Sequence, residues 1–351
     1  MDYETYKKDD FLGWVYQYFD EEGKQAIFER LNISASNKLE DYDIVPYSQL
    51  YTDHYIVEFI TQNALGTWWR AQHPDSEVLN KWDYLLPSSD KFNEFEQMEL
   101  KDIKILDPAC GSGHFLLYAF NLLYELYLEE GKIPQDDIPR YILEKNLYGV
   151  DIDRRAVQLA NLSLFLKAKE INPALKINKL NLYSTDIIFQ NKELFNDLKE
   201  RIKGRSEDEK ELVDALWQGM RKISALGSLL PIEREIEHFI RSRRTGITQF
   251  IGEYDTRWEQ WKDAILNSFD DIINEALEKQ EPNELLFARD GVRGITFLSL
   301  FRNQYDIILM NPPYINSRRM NSDYKETLEK IIMIRQLALF SEHLNYLKKG
   351  V

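Results

Sequence analysis

A glycine-rich loop between a short apolar run and a long apolar segment constrains the fold more than any other feature of this chain. Residues 103–107 form the run, Pro108–Gly113 form the loop, and the segment from Phe115 to Leu128 has the length and apolar character of a helix. Glycines at such a turn let the backbone approach a ligand closely and enter the helix sharply. The pattern predicts a strand–loop–helix unit with a ligand at the loop.

Three further short apolar runs complete a strand pattern. They cover residues 146–151, 180–184 and 305–310, and a helix is predicted over 154–169, directly after the second strand. Short apolar strands that alternate with helices indicate a parallel sheet covered by helices on both faces. We therefore predict an α/β fold with a Rossmann-like parallel sheet.

The chain divides into four predicted segments. Residues 1–98 are predicted to be helical, because Phe11, Val15 and Phe19 recur at helical spacing. Residues 99–190 contain the first three strands, and 301–351 contain the fourth. Residues 191–300 are charged and helix-patterned, and an ordinary crossover needs far fewer residues. We interpret this segment as a helical insertion.

Composition limits the function only weakly. The formal net charge of −15 argues mildly against a nucleic-acid partner, although local Arg and Lys clusters are present. No apolar run approaches the roughly 20 residues that cross a bilayer, no secretory signal is visible, and the single cysteine cannot form an internal disulfide. These features favour a cytoplasmic protein. The five histidines show no metal-ligand spacing, and no nuclease motif is visible, so neither a metal site nor cleavage is expected.

The loop lacks the features of a dinucleotide or P-loop site. A dinucleotide fingerprint places a third glycine where this chain has Leu116, and no Gly-Lys-Ser/Thr follows for a P-loop. Asp151 closes the second strand, where its carboxylate can accept hydrogen bonds from a ribose diol while Ile152 covers an adenine. An N-cap of the next helix is the alternative role of this aspartate. A nucleoside without a pyrophosphate clamp suggests S-adenosylmethionine.

An Asn-Pro-Pro-Tyr motif follows the fourth strand. Prolines cannot continue a strand, so residues 311–314 form a stiff loop at the carboxyl edge of the sheet, where ligands of α/β folds bind. The Asn311 amide oxygen and the Pro312 carbonyl can hold both hydrogens of an exocyclic amine, and Tyr314 can stack on the base. This arrangement predicts methylation of an amine.

Together these motifs resemble those of amino-methylating DNA adenine methyltransferases. The match consists of DPACGSG at 107–113, the acidic strand end at 151, Asp186 and the Asn-Pro-Pro-Tyr motif. The helical N-terminus and the insertion look most like the large methyltransferases of BREX-type phage-defence systems and type IIG restriction enzymes. The resemblance implies a class I S-adenosylmethionine-dependent fold, double-stranded DNA as substrate, and a chain that stops before the last strands and a target-recognition part.

The resemblance also implies roles for individual residues. The segment at Tyr51 and Thr52 would contact the cofactor, with Asp53 replacing the usual proline. Asn311, Pro312 and Tyr314 would form the catalytic pocket. The predicted cofactor-binding residues are Thr52, Asp107, Ala109, Gly111, Gly113, Phe115, Asp151, Ile152 and Asp186. Phe115 and Ile152 could equally be plain core.

Two other functions remain open at this stage. RNA guanine and protein glutamine methyltransferases also use an Asn-Pro-Pro-Tyr motif, although their chains are usually compact. A truncated relic without turnover is the second alternative. Cytosine C5 methylation is disfavoured, because Cys110 lies in the glycine loop and not beside a base pocket.

Overall fold

The structure is a computed structural model. The structure describes residues 11–18, 21–34, 37–40, 43, 46–47, 52–87, 97–184, 196, 266–267, 269–280, 282–301 and 304–311. They divide into two compact units, the first with boundaries at Ser184 and Gln304, and the second formed by the described residues between 196 and 301.

The first unit is built on a four-stranded parallel sheet. In chain order its elements are α1 (Phe11–Gln17), α2 (Glu21–Ile33), α3 (His54–Gln72), β1 (Ile105–Asp107), α4 (His114–Glu130), α5 (Ile138–Tyr141), β2 (Leu147–Asp151), α6 (Arg154–Ile171), β3 (Asn181–Ser184) and β4 (Ile307–Ile308). The strand order is β3-β2-β1-β4 and every pair is parallel. The predicted Rossmann-like parallel sheet is confirmed.

The strand order contains a reversal at β1. The chain passes from β1 to β2 and β3 on one side, and β4 then lies on the other side of β1. Ile105 is opposite Leu147 on β2 and Ile307 on β4, so β1 is the central strand of this part of the sheet. In open α/β sheets, ligands bind at the carboxyl ends of the strands where the order reverses. The rule predicts a ligand site at the carboxyl ends of β1 and β4.

The helical N-terminal region shares its core with the sheet. Leu65 and Trp69 on α3 are buried together with Leu116, Phe120 and Leu123 on α4. Burial of each such side chain contributes about 1.5–3 kcal/mol. Glu129 accepts a hydrogen bond from the Trp69 indole N–H at 2.8 Å. The packing of α3 on α4 fixes the start of α3, and with it Thr52, near the glycine loop.

The second unit is helical in its described part. Residues 269–279 and α7 (Pro282–Phe301) are helices, with Phe269, Ile272, Ala276 and Ala288 buried. A Cβ on Gly291 would lie 2.2 Å from the Phe269 ring, so the ring packs directly on the α7 backbone. Among the residues that the structure describes, no helix combines the length and the apolar character needed to cross a membrane.

Candidate active site

The carboxyl ends of β1 and β4 bring the two sequence motifs together. The Leu309 N–H donates to the Leu106 carbonyl at 2.9 Å, which carries the pairing one residue beyond β4. Neighbouring strands lie about 4.8 Å apart, so Asn311 leaves the sheet beside the loop that follows Asp107. The glycine loop and the start of the Asn-Pro-Pro-Tyr motif therefore open on the same edge.

Asn311 also contacts the segment before α3. Its Nδ2 donates a hydrogen bond to Oγ1 of Thr52 at 3.1 Å, across 259 residues of sequence. Both residues are partly exposed. This hydrogen bond fixes the orientation of the Asn311 amide, because its nitrogen must face Thr52. The Oδ1 atom takes no part in this bond and can accept a hydrogen bond from another group.

The glycine loop is fixed by its own backbone. The Cys110 N–H donates to the Val150 carbonyl at 2.9 Å, and the Gly113 N–H donates to the Cys110 carbonyl at 2.8 Å. Gly111 and Gly113 have φ values of +51° and +91°. A Cβ on Gly113 would lie 2.9 Å from that of Ala160, whereas one on Gly111 would meet nothing within 4 Å among the described residues. Gly113 is thus needed for packing, and Gly111 borders open space.

Asp107 is the most unusual group of the site. It is 1% exposed, and its Oδ1 accepts a hydrogen bond from the Ala109 N–H at 3.1 Å. Its Oδ2 is buried without a hydrogen-bond partner among the described residues. Burial raises the pKa of Asp107 to about 8, against the opposing effect of the Ala109 hydrogen bond. A buried oxygen of this kind is a ready acceptor for a cationic donor.

Asp151 joins the glycine loop to the loop after β2. Oδ2 accepts from the Gly111 N–H at 2.7 Å, and Oδ1 accepts from the Asp153 N–H at 2.8 Å. Burial raises the pKa of Asp151 to about 6, and these two hydrogen bonds limit the rise. Each carboxylate oxygen has two lone pairs, so the group can still accept from a diol.

The structure assigns the N-cap role to another residue. Oδ1 of Asp153 accepts from the Arg155 N–H at 3.0 Å and thereby caps α6. Asp151 is therefore not the cap of this helix, which removes the alternative that the sequence left open for it.

The remaining predicted residues differ in their surroundings. Phe115 is 4% exposed and belongs to the hydrophobic core, whereas Ile152 and Ala109 are partly exposed. Burial raises the pKa of the Cys110 thiol well above its usual value, so it is a poor nucleophile. Asp186, Pro312 and Tyr314 lie outside the described residues.

Two contacts at this edge were not predicted. His54 Nδ1 lies 3.3 Å from His114 Nε2 and the rings stack, joining the start of α3 to the residue after Gly113. Tyr16 on α1 donates a hydrogen bond to Asp153. His114 directly follows the glycine loop and could have been noted, but its partner lies 60 residues earlier and no local pattern indicates the pair.

Comparison with known proteins gives a family match and several relatives. The sequence model described as "Eco57I restriction-modification methylase" matches residues 145–336. The chain is 27% identical to adenine-specific methyltransferase BrxX of Escherichia coli O9:H4 (strain HS), over 93% of the chain and 27% of that protein. It is 28% identical to adenine-specific methyltransferase PglX of Lacticaseibacillus casei, over 98% of the chain and 28% of that protein. It is also 28% identical to the type II restriction enzyme and methyltransferase RM.Eco57I of Escherichia coli, over 52% of the chain and 17% of that protein.

Proposed function

Since the chain belongs to the Eco57I restriction-modification methylase family, we propose that it forms the catalytic core of an enzyme that methylates adenine N6 in DNA. The chain spans 27% and 28% of the length of the BrxX and PglX relatives, which are named adenine-specific methyltransferases. The observation that carries the proposal is the pairing of β1 with β4, because it places Asn311 beside the glycine loop. A restriction-modification or BREX-like phage-defence system is the proposed setting.

The residues at the β1 end fit S-adenosylmethionine as methyl donor. When bound, this cofactor supplies a methyl group on a positively charged sulfur. Its amino acid part carries an ammonium group, which can donate a hydrogen bond to Oδ2 of Asp107, an atom without a partner among the described residues. Asp151 is proposed to accept from the ribose, with Ile152 and Asp186 at the adenine. An added Cβ on Gly111 would meet nothing within 4 Å among the described residues, so this side of the loop is the proposed place for the ligand.

Asn311 is proposed to hold the target amine. Because its Nδ2 donates to Thr52, its Oδ1 remains available to accept an N–H of the adenine amino group. The Pro312 carbonyl is the proposed second acceptor, and Tyr314 is the proposed stacking partner. Two acceptors on one amine draw its lone pair away from the ring and direct it toward an electrophile. The base would reach this pocket by leaving the duplex, which costs a few kcal/mol.

Replacing Asn311 with Ala tests the proposal directly. In the full-length protein, Asn311→Ala should abolish methyl transfer to DNA, while calorimetry should show S-adenosylmethionine affinity within about twofold of wild type, because the cofactor groups are untouched. Asn178→Ala is the control, since Asn178 lies in an exposed loop and bonds only to Glu144 among the described residues.

Labelled methyl transfer should be measured side by side on DNA, RNA and protein. Incorporation into RNA or protein in place of DNA would contradict the proposed substrate. Transfer retained by Asn311→Ala would contradict the pocket.

A further inference from the structure

Tyr16 connects the N-terminal helix α1 to the loop that follows β2. Its hydroxyl donates a hydrogen bond to Oδ2 of Asp153, and the residue is 9% exposed. Burial, together with the hydrogen bond to Asp153 and the negative charge of that carboxylate, holds the pKa of Tyr16 well above its usual value. The hydroxyl therefore keeps its proton and acts as a donor at every physiological pH.

Asp153 extends this connection to the candidate cofactor site. Its backbone N–H donates to Oδ1 of Asp151 at 2.8 Å, and the Gly111 N–H donates to Oδ2 of Asp151 at 2.7 Å. A continuous series of hydrogen bonds thus runs from α1 through residues 151–153 to the glycine loop. The hydrogen bond from Tyr16 to Asp153 is the part of this series that links the N-terminal helix to the loop after β2.

We propose that Tyr16 is a positioning residue for the nucleoside site, which holds residues 151–153 in the conformation that presents the Asp151 carboxylate to a ribose. The inference rests on the proposed function, since it concerns affinity for S-adenosylmethionine. A loop that is ordered before the ligand arrives avoids the entropy cost of ordering on binding. Residues that orient a ligand-binding group in this way affect affinity without touching the ligand.

Replacing Tyr16 with Phe isolates the hydroxyl. The Arg155 guanidinium lies 6.0 Å from the centre of the Tyr16 ring, and this contact survives in the variant. The variant loses a hydrogen bond to a charged group, and part of the lost free energy should reappear as weaker ordering of residues 151–153. We expect the Kd for S-adenosylmethionine, measured by calorimetry, to rise roughly three- to tenfold. Tyr18→Phe is the matched control, because Tyr18 is 52% exposed and packs its ring on Trp14. Its Kd should equal that of wild type.

A second variant separates positioning from simple helix docking. Asp153→Asn keeps one oxygen for the α6 cap and keeps the backbone N–H that donates to Asp151. It puts an amide nitrogen in the place of Oδ2, the acceptor for Tyr16, so it should raise the Kd to a similar extent. If both variants break the same hydrogen bond, the Kd of the double variant for S-adenosylmethionine should be no higher than the larger of the two single-variant Kd values.

The outcomes distinguish this inference from the proposed function. Tyr16→Phe with a lower Tm and an unchanged Kd would show that the residue only docks α1 and would overturn the inference. Additive losses in the double variant would overturn it as well. If Tyr16→Phe does not fold, an unchanged Kd for Asp153→Asn has the same meaning. Wild-type protein that does not bind S-adenosylmethionine would overturn the proposed function itself, and this inference with it.

Discussion

Replacing Asp107 with Asn should stabilise the fold and weaken cofactor binding at the same time. The amide has the shape of the carboxyl group and keeps an oxygen for the Ala109 N–H, but it removes the charge. Burial raises the pKa of Asp107 from its ordinary 3.8 to about 8. At pH 7 the unfolded chain carries an ionised Asp107 that must take up a proton on folding. At about 1.4 kcal/mol per pH unit, this uptake costs at most about 4 kcal/mol.

The sign of the pH dependence follows from the raised pKa. The folded state binds one more proton than the unfolded state between about pH 4 and pH 8, so wild-type stability falls as pH rises through this window. Asn titrates in neither state. The stability advantage of Asp107→Asn should therefore be near zero at pH 4, grow with pH, and level off above pH 8.

Urea unfolding at pH 5, 7 and 9 measures this difference, with the exposed Asp102→Asn as control. Calorimetry on the same samples should show at least a tenfold loss of S-adenosylmethionine affinity for Asp107→Asn, because a buried charged acceptor for the ammonium is lost. Wild-type affinity should rise with pH up to about 8, since binding a cation there releases the Asp107 proton. An Asn variant that is less stable than wild type at all three pH values would refute the reasoning, because it would mean that Asp107 is ionised and paired in the fold.

Two further predictions concern the same edge of the sheet. Gly113→Ala should lower the free energy of unfolding by about 2–4 kcal/mol, because the new methyl group meets Ala160 and the backbone is left-handed. Gly111→Ala should lower the free energy of unfolding by only about 1–2 kcal/mol and should mainly weaken S-adenosylmethionine binding. Equal Tm values for the two variants would contradict this difference. Thr52→Val should lower kcat for DNA methylation about tenfold with Thr52→Ser near wild type, because the hydroxyl orients Asn311. If Thr52→Val instead raised the Kd for S-adenosylmethionine and left kcat unchanged, Thr52 would be a cofactor-binding residue and not one that orients Asn311.

The sheet could be predicted because its signals are local. Each strand is a short apolar run followed by a turn or a helix start, and each observed strand lies inside its predicted run. The fourth run covers residues 305–310, but only Ile307–Ile308 form β4, which pairs with β1. The order of the strands was not predictable from periodicity. It depends on how the chain crosses the sheet, which the β1–β4 pairing reveals.

The contacts that shape the site could not be predicted in the same way. Thr52 and Asn311 are 259 residues apart, and Tyr16 and Asp153 are 137 residues apart. Such pairs involve single side chains, so they leave no periodic pattern and depend on the packing of α1 on α6 and of α3 on α4. The sequence left an N-cap as the alternative role of Asp151, and only the geometry assigns the cap to Asp153.

Two features that oppose stability in the described part of the first unit lie at or directly after the end of β1. A stable fold has no need of a buried carboxyl group with an oxygen that no described residue satisfies, and an amide or apolar residue at position 107 would avoid its desolvation. It has equally little need of a left-handed backbone at Gly111, where an added Cβ would meet nothing within 4 Å in the part of the chain that the structure describes. Natural sequences keep such exceptions where function requires them. Both exceptions lie where the strand order reverses, beside the strand that leads to Asn311. Under the proposed function, the positive charge of the ligand accounts for the first and its volume for the second.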